Sequence, residues 1–167
     1  MLDAARNGSR DALAELYRAH GDAVYTLAYR ITGTREEAED VLHDIFVGLP
    51  RALRSYDERG QFSSWLRRVT VRTCVMRLRA ASRRREQPFD EIESVARSND
   101  APGNVIERMA LMTALDRLSP GLRTVFMLRE VEGYSHDEIG ALLGISAGTS
   151  ATRLSRAWSL LRRELKT

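Results

Sequence analysis

Between Trp65 and Arg85 the chain carries eight arginines and no acid. The guanidinium fork presents planar, paired donors that match phosphate oxygens and guanine edges. At helical spacing, Arg68, Arg72 and Arg79 share one stripe with Val75, and Trp65 lies at its border. A cationic stripe beside an aromatic ring suits a nucleic-acid strand that is both charged and unstacked. The same helix also reads as ordinary surface, with Trp65, Leu66, Val69 and Met76 as core and the arginines solvated. A second basic set stands near the C-terminus. Gly148, Ala151, Thr152, Ser155, Arg156, Ser159, Arg162, Arg163 and Lys166 fall in one helical sector. That sector begins with small polar side chains, which let a backbone approach base edges. It ends in positive charge, which can meet guanine or phosphate. The opposite sector, Ser150, Leu154, Ala157, Leu161 and Leu165 with Trp158 at its edge, reads as core.

The acids are gathered elsewhere. From Arg35 to Asp44 there are five acids and one arginine. Glu36, Glu37, Glu39 and Asp40 suit a helix N-terminus on dipole grounds alone. Asp44 lies a turn further on, where that argument has faded, so it is a candidate contact to a basic partner. Segregated charge of this kind points to separate surfaces for separate partners. Lys166 is the only lysine; the arginine bias fits nucleic acid, and a GC-rich coding sequence would produce it too.

Catalytic chemistry finds little here. His20, His43, His136 and Cys74 are far apart and show no metal-ligand spacing. No glycine-rich phosphate loop occurs. No catalytic residue, metal or cofactor is expected. A single cysteine forbids an internal disulfide and fits a reducing compartment. No apolar run approaches the ~20 residues of a membrane span, and the N-terminus lacks a signal pattern. A soluble, cytoplasmic protein without membrane insertion is the expectation.

The elements that must position these residues are all helical. The 167 residues suffice for two small domains. Ser9 caps a helix with apolar positions Leu13, Leu16 and Tyr17, and the pattern resumes after Gly21 at Val24, Leu27, Ala28 and Ile31. Thr34 with Glu37 forms a capping box before Ala38, Val41, Leu42, Ile45, Phe46 and Leu49. Pro50 should kink or end that helix. Ser55 to Ser64 reads as a loop, and a long helix runs from about Phe62 to Arg84. Arg85 to Gly103 breaks every periodicity and carries Pro88, Pro102 and several acids. It reads as a linker, flexible until bound, because it buries too little apolar surface to offset chain entropy. Asn104 with Glu107 can cap a helix to about Leu118. Ser119–Pro120 opens another, to about Val131. Ser135 with Glu138 is a capping box, Gly144 closes a short helix, and Ser146 caps the last one. His136 to Leu143, the turn, and the final helix make a helix-turn-helix. By itself that motif serves repressors and activators as well. A regulatory interaction protein with acidic helices and no DNA contact is a further alternative.

Three blocks resemble a known family. AEDVLHDIF (Ala38–Phe46) is similar to the AEDLVQEVF signature of extracytoplasmic-function sigma factors of the sigma-70 family. FSSWLRRV (Phe62–Val69) is similar to their F-x-x-W-L-x-x-I. EGYSHDEIGALLGISAGT followed by RLSRAWSLLRREL is similar to their EG-x-S-x-x-EIA-x-x-LG-x-S-x-GTV-x-SR-x-x-RA-x-x-x-L. The blocks stand in the family's order and span most of the chain. The resemblance implies an all-α protein of two small helical domains. These are a region 2 helical bundle over residues 1–84 and a region 4 helix-turn-helix over 104–167, joined by a flexible linker over 85–103. Glu39, Asp40, Val41, Asp44, Ile45 and Phe46 would meet the clamp helices of the largest subunit of core RNA polymerase. Phe62, Ser63, Trp65, Arg68, Arg72 and Arg79, with the preceding loop, would melt the −10 promoter element and capture flipped bases. Ala151, Thr152, Ser155, Arg156 and Arg163 would read the −35 element. The linker would thread toward the RNA exit path, and an anti-sigma factor would block these surfaces. Three departures limit the transfer. The family often has asparagine and aspartate where Arg72 and Met76 stand, valine at Ser150, and a basic residue at Ala151. The promoter sequence therefore does not carry over.

Overall fold

The computed structural model describes residues 1–57, 59–84 and 105–166. Its helices are α1 (Leu2–Arg6), α2 (Arg10–Thr32), α3 (Arg35–Ala52), α4 (Phe62–Arg84), α5 (Val105–Asp116), α6 (Pro120–Phe126), α7 (His136–Leu143) and α8 (Ala147–Leu165). No strand occurs among the described residues. The chain divides into two compact units, Met1–Met76 and Arg77–Thr167, and the division falls within α4. The expected linker and the expected cap at Asn104 lie outside the described residues.

In the first unit, Ser9 accepts a hydrogen bond from the Ala12 amide and opens α2, which continues unbroken through Gly21. Gly33 ends it in the left-handed conformation (φ 79°), a geometry that costs other residues a Cβ clash. Thr34 then caps α3 by accepting from the Glu37 amide at 3.1 Å. Each helix turns its apolar stripe inward. Leu16, Val24, Leu27, Ala28 and Ile31 from α2 are buried, as are Ala38, Val41, Ile45 and Leu49 from α3. Burying each of the larger side chains stabilises the unit by roughly 1.5–3 kcal/mol. From α4 come Leu66, Val71, Cys74 and Val75. Thr70 is also buried, and its hydroxyl donates to the Leu66 carbonyl at 2.8 Å, which removes the desolvation penalty. The sequence pattern gave no warning of α1. It is fastened by Ala5 in the core and by Arg6 Nε donating to the Leu53 carbonyl at 3.0 Å. Pro50 ends α3 with a delay: the helix runs to Ala52 and tightens into a 3-10 turn at Leu53–Ser55.

The second unit is built around α6, whose residues from Gly121 to Phe126 are all buried. Ser119 caps it with Pro120 in the first turn. The helix ends in a π turn, Met127–Val131, with the Glu132 amide donating to the Met127 carbonyl at 3.0 Å. Arg123 is only 3% exposed, and its Nη1 donates to Asp116 Oδ1 at 2.9 Å. Such a buried ion pair ties α5 to α6, and removing one partner would strand the other charge. Arg117 and Glu164 pair between α5 and α8.

Candidate nucleic-acid and partner surfaces

The helix-turn-helix is assembled by local chemistry. Ser135 accepts from the Glu138 amide at 3.1 Å, and the Glu138 carboxylate accepts from the Ser135 amide at 2.7 Å. Donation from the Ser135 backbone N–H, and secondly from the Ser135 hydroxyl, holds the Glu138 carboxyl below the usual carboxylate range. A folded value lowered in this way stabilises α7 at neutral pH, and that contribution fades as pH falls through the folded value. Glu138→Gln keeps an acceptor at the box but cannot titrate. Its thermal melting should therefore lose part of the acid-side decline seen in the native protein. Parallel declines in the two proteins would remove this role from Glu138.

Gly144 closes α7 at φ 69°. The turn lies so close to α7 that a Cβ on Gly140 would sit 2.6 Å from the Ile145 carbonyl oxygen. Ser146 accepts from the Thr149 amide at 3.0 Å and opens α8. His136 Nδ1 and Ser150 Oγ share a hydrogen bond of 2.9 Å that joins α7 to α8. Ser150 is completely buried. Its hydroxyl stands where the resemblance calls for valine, and the histidine satisfies it.

The outward face of α8 matches the sequence reading. Ala151, Thr152, Ser155, Arg156, Ser159, Arg162, Arg163 and Lys166 are all exposed. The Thr152 hydroxyl donates to the Gly148 carbonyl at 3.0 Å. Arg162 lies over the Trp158 ring at 5.6 Å. Trp158 is anchored edge-on to Phe126 at 5.1 Å, and its Nε1 donates to Glu130 Oε1 at 3.3 Å. Leu165 is a correction. It is 49% exposed, so the core of α8 stops one turn earlier, at Leu161.

On α3, Glu39, Asp40 and Asp44 are exposed. Glu39 pairs with Arg35 at 3.4 Å, and both side chains are largely in water, where such a pair contributes little. Phe46 is half-buried, with its ring edge-on to Tyr17 at 5.0 Å. Val41 and Ile45 are buried in the core of their unit, where they hold the helix in place. Val47, three residues beyond Asp44, is 67% exposed on the acidic face, and the sequence reading did not single it out.

At the start of α4, Phe62 and Trp65 are half-buried and Ser63 is exposed. Phe62 meets His20 at 5.0 Å, Tyr56 at 5.8 Å and Trp65 at 5.7 Å; Tyr56 meets Trp65 at 5.1 Å. His20 and Tyr56 were missed as members of this cluster, His20 because it stands 42 positions before Phe62 and Tyr56 because it lies in the preceding non-helical segment, which gives no periodicity. Arg68, Arg72 and Arg79 are exposed along the same helix. Val75 leaves their stripe for the core, at 3% exposure, and Met76, expected as core in the ordinary-surface reading, is 68% exposed. Among the described residues no three His, Cys, Asp or Glu side chains are placed to hold a metal ion.

Two family descriptions match the chain in order: Sigma-70 region 2 over residues 16–84, and Sigma-70 region 4 over residues 108–161. The extracytoplasmic-function sigma factor SigM of Mycobacterium tuberculosis is 32% identical over 165 residues, covering 99% of this chain and 83% of that protein. SigW of Bacillus subtilis is 27% identical, covering 96% and 92%. SigE of Mycolicibacterium smegmatis is 35% identical over 153 residues, which is 89% of this chain but 59% of SigE, so the chain spans under two thirds of that relative's length. Among solved structures, CnrH in complex with the cytosolic domain of CnrY has a TM-score of 0.53 at 26% identity, covering 99% and 94%. The sigma factor RpoE from Bartonella quintana, in complex with the anti-sigma factor NepR, shares the fold with a TM-score of 0.61 at 24% identity, covering 95% and 98%.

Proposed function

The chain belongs to the sigma-70 family, in its extracytoplasmic-function group, and on that premise we propose how its surfaces divide the work of transcription initiation. The α3 face of Asp40, Asp44 and Phe46 binds core RNA polymerase at the clamp helices of the largest subunit. The α4 stripe holds promoter DNA around the melted −10 element, with Phe62, Ser63 and Trp65 at the captured bases. The early turns of α8 read the −35 element. In domain terms, residues 1–84 act as region 2, 85–103 as linker, and 104–167 as region 4. The protein performs no catalysis of its own; it directs the polymerase.

The observation that carries this reading is the acid-free outer face of α8 on a fully capped helix-turn-helix, in a chain whose other unit matches region 2. A repressor or activator would share α7 and α8 but has no use for the match over residues 16–84. An interaction protein that never touches DNA has no use for the α8 face. A pull-down with purified core separates all three, since only a sigma factor joins core stoichiometrically and then directs run-off transcription. Failure to join core overturns the proposal.

The relatives solved with CnrY and with the anti-sigma factor NepR suggest regulation by an inhibitory partner here too. Such a partner would cover the polymerase- and DNA-facing surfaces. No helix among the described residues is long and apolar enough to cross a membrane. A protein that works on polymerase and chromosome belongs in the cytoplasm.

The α4 stripe has its own test. Replacing Arg68, Arg72 and Arg79 together by alanine should leave core binding unchanged and abolish promoter opening. If each arginine neutralises one phosphate, the salt slope of promoter binding should fall by about three. Permanganate reactivity of promoter thymines equal to that of the native holoenzyme would count against the assignment.

A further inference from the structure

On α4 the residues Arg68, Arg72 and Met76 follow one another at four-residue spacing and are all exposed. Trp65 begins the same sector at ~100° per residue. No acid occurs anywhere on this helix. At the end of this cationic row stands one large apolar side chain, Met76, 68% exposed to water. A thioether so exposed adds little to the fold. Its neighbours at the preceding turns determine what approaches it. A surface that neutralises phosphates brings a duplex groove against the helix, and the side chain one turn beyond the arginines then meets base edges. The one apolar group on the groove edge of a base pair is the thymine 5-methyl. We propose that Met76 is a specificity-determining residue of this chain, packing its thioether against the 5-methyl group of a thymine in the promoter duplex beside the melted segment, with Arg68 and Arg72 fixing the backbone at the two preceding turns.

The inference rests on α4 facing promoter DNA and goes beyond it, because it assigns one side chain to one methyl group. Deoxyuridine differs from thymidine only by that methyl, so the contact can be removed from either side. Holoenzyme is assembled from core and the full chain, and a promoter is selected from a randomised template pool. Each thymine around the −10 element is then replaced singly by deoxyuridine. Open-complex formation by the native holoenzyme should fall about four-fold at one position, the effect of one buried methyl. Met76→Ala holoenzyme should open the thymine template as slowly as the native protein opens the uracil one, with no further loss on uracil. Met76→Leu, which keeps an apolar tip, should retain a preference for thymine. Indifference of the native holoenzyme to every replacement overturns the proposal. So does a Met76→Ala protein that opens all templates more slowly but keeps the native thymine-to-uracil ratio, which would make Met76 a wedge and not a reader. A native chain that joins core yet opens no promoter overturns the reading of α4 itself, and is told apart because no ratio is then measured at all.

Discussion

Reversing Asp40 and Asp44 to arginine together should lower the affinity for core RNA polymerase by at least about 100-fold, which corresponds to ~2.8 kcal/mol. The two residues are one helical turn apart and exposed on α3, with Val47 on the same face. A paired acidic face beside an exposed apolar side chain fits a basic partner surface with an apolar centre. Placing two cations there converts attraction into repulsion, and like charges across an interface cost several kcal/mol. Helix content should stay native, because both positions are exposed and the Thr34 cap and first-turn acids Glu36 and Glu37 remain in place. Asp40→Asn with Asp44→Asn should give a smaller loss, since it removes attraction without adding repulsion. A competition assay against a labelled native chain reads both. Native-like affinity of the double arginine variant, with helicity unchanged, would move the polymerase contact off α3.

Much of this site was legible because helical periodicity decides which residues share a face. The outer sector of α8 came through in full, from Gly148 to Lys166. The capping residues Ser9, Thr34, Ser119, Ser135 and Ser146 all sit at their helix starts. The differences have physical causes. The expected polymerase contact included Val41 and Ile45 beside the exposed acids, but a helix cannot turn all of these residues to one side. Val41 and Ile45 already belonged to the inward stripe, and they are buried there. On α4 the residues flanking the arginines are apolar on several sides, so the wheel alone could not tell Val75 from Met76; the packing of α4 against the rest of its unit decides. At Leu165 the periodicity continues past the point where neighbouring helices offer a surface to cover it.

What no local pattern could reveal is contact between distant residues. His20 reaches Phe62 across 42 positions of sequence at 5.0 Å. Ser150 looks like a misplaced polar residue until His136 is found at 2.9 Å. Arg123 belongs to a residue type that is almost always exposed, yet Asp116, seven positions earlier, pairs with it inside the core. Each of these needs the tertiary arrangement before its chemistry makes sense.

Arg156 and Arg163 should behave differently when each is replaced by alanine. Arg156 stands in the third turn of α8, on the face that also carries Thr152 and Ser155, and all three are exposed. In a helix-turn-helix the early turns of the second helix enter the major groove, while later turns run out over the backbone. An arginine in the groove can make a paired hydrogen bond to guanine, worth ~1–3 kcal/mol against a wrong base. Arg156→Ala should therefore weaken the best −35 sequence by about 5- to 150-fold and flatten preference at one base pair, leaving poor sequences nearly unchanged. Arg163 lies two turns further on, near Arg162, which is held over Trp158. Its charge should meet phosphate, so Arg163→Ala should weaken all sequences alike and lower the salt slope by about one. Binding across a randomised −35 element at several salt concentrations measures both effects in one experiment. Uniform weakening by Arg156→Ala would mean that α8 is docked differently, and base reading would then pass to other residues.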